Sequence, residues 1–196
     1  NTRTKSFDEL LYRRNDVDVY GLRYHTNSWA QPDTVTAVSY YKDNFHFEYF
    51  DETEGAMFAQ LEELIPNSKY VSVPSRSRDG NTMIVRNTGP KDPGTFYLYK
   101  NSEIISVGSE QPLIDPEHLA DVKYITYKAR DGRKIPAFVT VPNSGKKPYP
   151  LIVLPHGGPQ VREVVLFDEW AQMLANNGYM VLQPQYRMSM GYGMDH

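Results

Sequence analysis

The sequence predicts a mixed fold, with antiparallel β-units first and the opening of an α/β sheet after them. Three observations carry that expectation. Four short β-prone runs separated by turn signals fill residues 70–107. The aliphatic run Leu151–Leu154 stops abruptly at His156-Gly157-Gly158-Pro159, and a helical pattern and a second apolar run, Tyr179–Leu182, follow it. Between these regions the composition changes over residues 111–123, where Gln111-Pro112 to Pro116 reads as a linker.

In chain order, Thr34 to Tyr41 alternates as a strand, Lys42-Asp43-Asn44 turns, and Phe45 to Phe50 returns as a second strand. Over Glu54–Ile65 the period changes. Met57, Leu61, Leu64 and Ile65 recur at helical spacing, so a short amphipathic helix is expected. Strands follow over Tyr70–Arg76, Thr82–Asn87, Thr95–Lys100 and Glu103–Val107. They are joined by Asp79-Gly80-Asn81, by the longer turn Gly89–Gly94 and by Asn101-Ser102. Four antiparallel strands in about 40 residues match one blade of a β-propeller, and an ordinary antiparallel sheet or sandwich fits the same pattern. Residues 5–50 carry weaker signals for part of a preceding blade. Two such units cannot close a ring of about 4–8 blades, so their edges are expected to stay open.

After the linker a short helical turn is expected at Glu117–Ala120. Val122–Lys128 and Ile135–Val141 form a hairpin around Asp131-Gly132, and Pro142–Pro148 is a polar loop. Leu151–Leu154 reads as a strand buried on both faces. The next helix is bounded by Asp168 near its start and Gly178 just past its end, with Phe167, Trp170, Met173 and Leu174 as its apolar stripe. Hairpin, strand, helix, strand is the opening of an open α/β sheet with mainly parallel pairing.

Composition narrows the classes of function. Of 196 residues, 40% are hydrophobic and 23% charged, which indicates a globular chain. The net charge is −3 and the Lys and Arg residues are scattered, which argues against nucleic acid as a partner. No apolar run approaches the about 20 residues of a membrane helix, and no signal peptide is expected. A soluble protein of the cytoplasm or periplasm is expected, with the compartment left open. Residue 1 is Asn, so the natural start is expected to have been removed or to lie upstream. With no Cys there is neither a disulfide nor a thiol nucleophile. The 15 Tyr and 8 Phe favour a β-rich region. His25, His46, His118, His156 and His196 show no metal-ligand spacing, and no phosphate-binding glycine motif occurs, so neither metal nor cofactor is expected.

Two segments carry chemistry. His156-Gly157-Gly158-Pro159 follows a strand and precedes a helix, which places it at the sheet edge where open α/β folds bind ligands. Amides of Gly157 or Gly158 there are suited to a developing negative charge; a tight turn chosen for its geometry alone is the competing reading. The second segment, Gln183-Pro184-Gln185-Tyr186-Arg187-Met188-Ser189-Met190-Gly191-Tyr192-Gly193, reaches the same edge. Arg187 is suited to hold a substrate carboxylate or carbonyl, and equally to pair with an internal acid. No Gly-x-Ser-x-Gly occurs, and Ser189 has Arg187 two positions before it, so it does not fit a nucleophile elbow.

Together these segments resemble the prolyl oligopeptidase family of serine peptidases, in its acylaminoacyl-peptidase and dipeptidyl-peptidase-like branch. The likeness rests on four stretches: Ser75–Gly80 with Asp92–Tyr99, Tyr127–Gly132 with Ile135-Pro136-Ala137, Leu154–Pro159, and Gln183–Gly193. It runs over most of residues 34–196. Family members often show Asn-Tyr-Arg-Gly-Ser in the last stretch, where this chain has Gln185 for the Asn and Met188 for the Gly.

The resemblance implies antiparallel β-propeller blades followed by the first part of an α/β-hydrolase domain. Residues 1–113 would be the last propeller blades and residues 114–196 the N-terminal part of the peptidase domain. The family's Ser, Asp and His have no counterpart in this chain, so the remainder of the same enzyme would be a partner. Gly158, then Gly157, are the implied oxyanion-loop positions, with His156, Tyr186 and Arg187 as substrate-binding candidates. The implied activity is hydrolysis of short peptides or acyl-peptides, with this chain inactive alone. A non-catalytic peptide- or glycan-binding module and an esterase of the same fold are the alternatives, and a homo-oligomer is compatible with the sequence.

Overall fold

A computed structural model describes residues 5–7, 9–158, 160–193 and 196. Pro159 of the glycine turn lies outside the described residues. The chain forms three sheets. The first is an antiparallel trio, β1 (Val19–Tyr24), β2 (Val35–Tyr41) and β3 (Phe45–Tyr49), in that spatial order. Helix α1 (Glu52–Leu64) follows. The second sheet is a four-stranded antiparallel meander of β4 (Tyr70–Arg76), β5 (Thr82–Gly89), β6 (Asp92–Lys100) and β7 (Glu103–Ser109), each strand beside its sequence neighbour.

Helix α1 starts where Asp51 accepts hydrogen bonds from the amides of Thr53 and Glu54, at 2.9 and 3.0 Å, and it stops before Pro66. It buries Phe58, Leu61 and Ile65 against Val71, Met83, Val85 and Tyr97 of the second sheet. Met57 and Leu64 of the expected stripe are less buried, since the contact face is centred on Phe58 instead. Glu54, 2% exposed, accepts from Thr26 N and Oγ1 at 3.0 and 2.9 Å and from Arg76 at 3.2 Å. This buried carboxylate ties the β1–β2 loop, the helix and β4 together, with each partner supplying charge or a donor.

The expected long turn over Gly89–Gly94 is shorter than the sequence suggested, because Gly89 pairs directly with Asp92. The buried Asp92 carboxylate accepts from Gly94 N, Thr95 Oγ1 and Asn87 Nδ2 at 2.9, 2.8 and 2.6 Å. Those bonds extend β6 by three residues beyond its expected start.

A short 3₁₀ turn at Pro116–His118 leads into the third sheet. Its strands are β8 (Val122–Lys128), β9 (Lys134–Thr140), β10 (Leu151–Val153) and β11 (Met180–Pro184), with helix α2 (Glu169–Asn176) between the last two. The spatial order is β10-β11-β9-β8. Only β10 and β11 are parallel, and the other two pairings are antiparallel, so the expectation of mainly parallel pairing does not hold for this part of the sheet.

Two further expectations are corrected. Strand β10 is not a central strand buried on both faces. It lies at the sheet edge, with Leu151 and Val153 56% and 55% exposed. The buried strand is β9, where Ile135, Ala137, Phe138 and Val139 enter the core with Val181. In α2 the large apolar residues Trp170 and Met173 face outward, at 62% and 52% exposure, while Ala171, Gln172 and Ala175 are buried. Small residues let the helix come close to the sheet. The polar head of Gln172 is satisfied there, accepting from Ala120 N at 2.8 Å and donating to the carbonyls of Ala120 and Pro90, both at 2.9 Å. Pro90 lies in the β5–β6 turn, so this side chain joins the second sheet to the third.

Candidate active site

Strand β10 delivers the chain to His156, Gly157 and Gly158 at its C-terminal end, and its parallel neighbour β11 delivers Gln185 to Gly193 to the same edge. The sequence expectation that these two segments meet is realised as a dense set of hydrogen bonds. His156 and Tyr186 stack with ring centroids 4.3 Å apart. Tyr186 Oη lies 2.7 Å from the His156 carbonyl, 2.9 Å from the Gly158 carbonyl and 3.0 Å from His156 Nδ1. His156 Nδ1 is also 3.2 Å from the Gly157 carbonyl, and Nε2 is 2.8 Å from Ser189 Oγ. Ser189 is 4% exposed, and its amide closes a turn onto the Tyr186 carbonyl at 2.9 Å.

Gly157 and Gly158 are exposed. Among the described residues, neither amide N–H has an acceptor. Gly158 has φ +58°, in the left-handed region that favours glycine, while a Cβ at Gly157 would meet open space. Arg187, expected either on substrate or on an internal acid, pairs with Asp131 of the β8–β9 turn, and both side chains are substantially exposed.

Sequence reasoning named the loop but not three of its working parts. Gln185, fully buried, accepts from Glu163 N at 3.1 Å and donates to Glu163 O at 2.7 Å, pinning the chain just beyond the glycine turn to the end of β11. Its departure from the family's Asn was the only signal of this role. Arg162 is held between Tyr41 and Tyr192, 4.6 and 4.7 Å from their ring centroids, and a side chain at Gly191 (φ +90°) would run into its Nη1. Met190 N also bonds Val161 O at 3.0 Å, a second tie between the two segments. The third part is Ser189, set aside at the sequence level as a nucleophile and found as the buried partner of His156.

Burial pushes the Glu163 carboxyl up to about 7, with Asp168 nearby adding to the rise. Asp131 is held below the usual carboxylate range, mainly by the Arg133 amide and then by Arg187. Among the described residues no helix is long and apolar enough to cross a membrane.

No family model matches the chain. It is 31% identical over 171 residues to dipeptidyl aminopeptidase BIII of Pseudoxanthomonas mexicana, an alignment covering 82% of this chain and 24% of that protein. It is 29% identical over 150 residues to dipeptidyl peptidase family member 6 of Caenorhabditis elegans, covering 64% of this chain and 20% of the relative. The fold matches a puromycin-hydrolysing peptidase of Mycobacterium tuberculosis with a TM-score of 0.55 at 21% identity, over 80% of this chain and 24% of that one. The chain thus spans about a quarter or less of the length of each relative.

Proposed function

We propose, from the premise that this chain is homologous to one segment of dipeptidyl, acylaminoacyl and prolyl oligopeptidase-type peptidases, that it supplies the oxyanion loop of a serine peptidase. In this reading residues 1–113 are the last blades of a β-propeller and residues 114–196 the first part of an α/β-hydrolase domain. The substrates are short peptides or acyl-peptides, and the chain alone is inactive. A serine carried elsewhere in the enzyme attacks the substrate carbonyl, giving its proton to a histidine that an aspartate orients. The amide of Gly158, with the amide following that serine, holds the oxyanion, and Gly157 is the next candidate.

The observation that carries this reading is the pair of exposed glycine amides at the C-terminal end of β10, without an acceptor among the described residues. Such donors are already in place before charge develops, and one of them is worth about 2.7–4 kcal/mol in the transition state. The open edge of β10 supports it further. A strand added there in parallel would end beside the glycine turn, where an attacking serine is needed. His156 and Tyr186 line the protein side of the turn. A substrate carboxylate reaching Arg187 has to displace Asp131 first.

The test is treatment of the full-length protein containing this chain with a fluorophosphonate, followed by parallel peptide and ester assays. Covalent labelling with peptide turnover is expected. Absence of labelling points to a non-catalytic binding module, and labelling with ester turnover alone points to an esterase.

A further inference from the structure

The two glycine amides face outward for a reason that can be traced bond by bond. In a planar trans peptide the C=O and the following N–H point in opposite directions. The His156 carbonyl is held inward by Tyr186 Oη at 2.7 Å, so the Gly157 N–H of the same peptide unit is turned outward. The Gly157 carbonyl faces His156 Nδ1 at 3.2 Å, so the Gly158 N–H is turned outward as well. The Gly158 carbonyl is the third one gathered in, at 2.9 Å from Tyr186 Oη.

Donor counts favour one wiring of the network. Tyr186 has one hydroxyl proton, and the carbonyls can only accept, so that proton serves the carbonyls. Nδ1 then carries the imidazole proton, facing the Gly157 carbonyl and the Tyr186 oxygen, and Nε2 is left as an acceptor. Its donor is Ser189 Oγ–H at 2.8 Å, on a side chain nearly sealed from solvent. Ser189 thereby holds the imidazole at its far nitrogen in the orientation that the glycine turn requires.

We propose that Ser189 is a positioning residue, which acts through His156 and Tyr186 to aim the amides of Gly157 and Gly158 at the reacting carbonyl. The inference rests on the oxyanion-loop reading and deepens it. It assigns a role to a serine that touches neither substrate nor oxyanion. Ser189→Ala leaves Nε2 without its partner, loosens the imidazole and lets the glycine peptides rotate. Tyr186→Phe releases the carbonyls directly.

The experiment compares Ser189→Ala, Ser189→Thr and Tyr186→Phe with wild type in the full-length protein, measuring kcat and KM on a short peptide and the thermal midpoint. A misplacement of about 1 Å costs up to about 100-fold, so kcat is expected to fall about 10- to 100-fold in Ser189→Ala and Tyr186→Phe with KM little changed. Ser189→Thr, which keeps the hydroxyl, restores most of the loss. The inference is overturned if Ser189→Ala keeps wild-type kcat, whatever Tyr186→Phe does, or if lost activity merely follows lost folded protein. A wild-type protein that neither labels with fluorophosphonate nor cleaves peptide sinks the underlying reading instead.

Discussion

Glu163 offers a quantitative test of how the segment beyond the glycine turn is packed. Its backbone is clamped by Gln185, and its carboxyl is half-buried with a value near 7 against an ordinary 4.5. Burial is the main cause and the neighbouring Asp168 the second. A carboxyl whose folded value is raised binds its proton more tightly in the folded state. Its contribution to stability is therefore fully present below pH 4.5 and is lost as pH rises through 7. At about 1.36 kcal/mol per pH unit the rise amounts to about 3.4 kcal/mol, and the remaining solvent exposure reduces this to about 1–2 kcal/mol. Urea unfolding of wild type and Glu163→Gln at pH 5 and pH 8 isolates the effect, because glutamine keeps the neutral shape at both. Wild type is expected to lose about 1–2 kcal/mol relative to the variant over that interval. Equal losses in the two proteins would refute the reasoning and place the carboxyl in water.

Two further substitutions probe the loop between β11 and Gly193. Met188 sits at φ +73°, so Met188→Gly relieves about 1–2 kcal/mol of left-handed strain against about 0.5–1 kcal/mol of added unfolded-chain entropy; a net gain of about 0.5–1 kcal/mol is expected by thermal unfolding. Gln185→Leu leaves the Glu163 N–H and C=O without their partner, and a loss of about 2–4 kcal/mol in urea titration checks the clamp.

Much of this architecture was legible because local rules and tertiary demands agree. The β5, β6 and β7 runs are short and rich in β-branched and aromatic residues, and the turns Asp79-Gly80-Asn81 and Asn101-Ser102 carry the residues that such bends require. The meeting of the two glycine-rich segments followed from their shared position after neighbouring strands. What failed was the inference from apolarity to burial. Periodicity in α2 reveals an apolar face containing Trp170 and Met173, but not which face another element covers; close approach to the sheet selected Ala171 and Ala175 instead. Leu151 and Val153 failed for a related reason, since an aliphatic strand looks the same in sequence at the centre of a sheet and at its edge. Ser189 and Gln185 were missed because their value lies in partners 33 and 22 residues away, which no local pattern encodes.

Gln172 has a mechanical consequence. A greasy contact between two sheets can slide, because its energy depends on area and hardly on angle. Two of the three bonds, to Ala120, fix the buried amide within its own unit, and the third, to the Pro90 carbonyl, is the directional link across to the second sheet, with no water to replace it when broken. With the Lys91–Asp121 ion pair beside it, that bond sets the register of the β5–β6 turn on the segment entering the third sheet, which contact area alone does not specify.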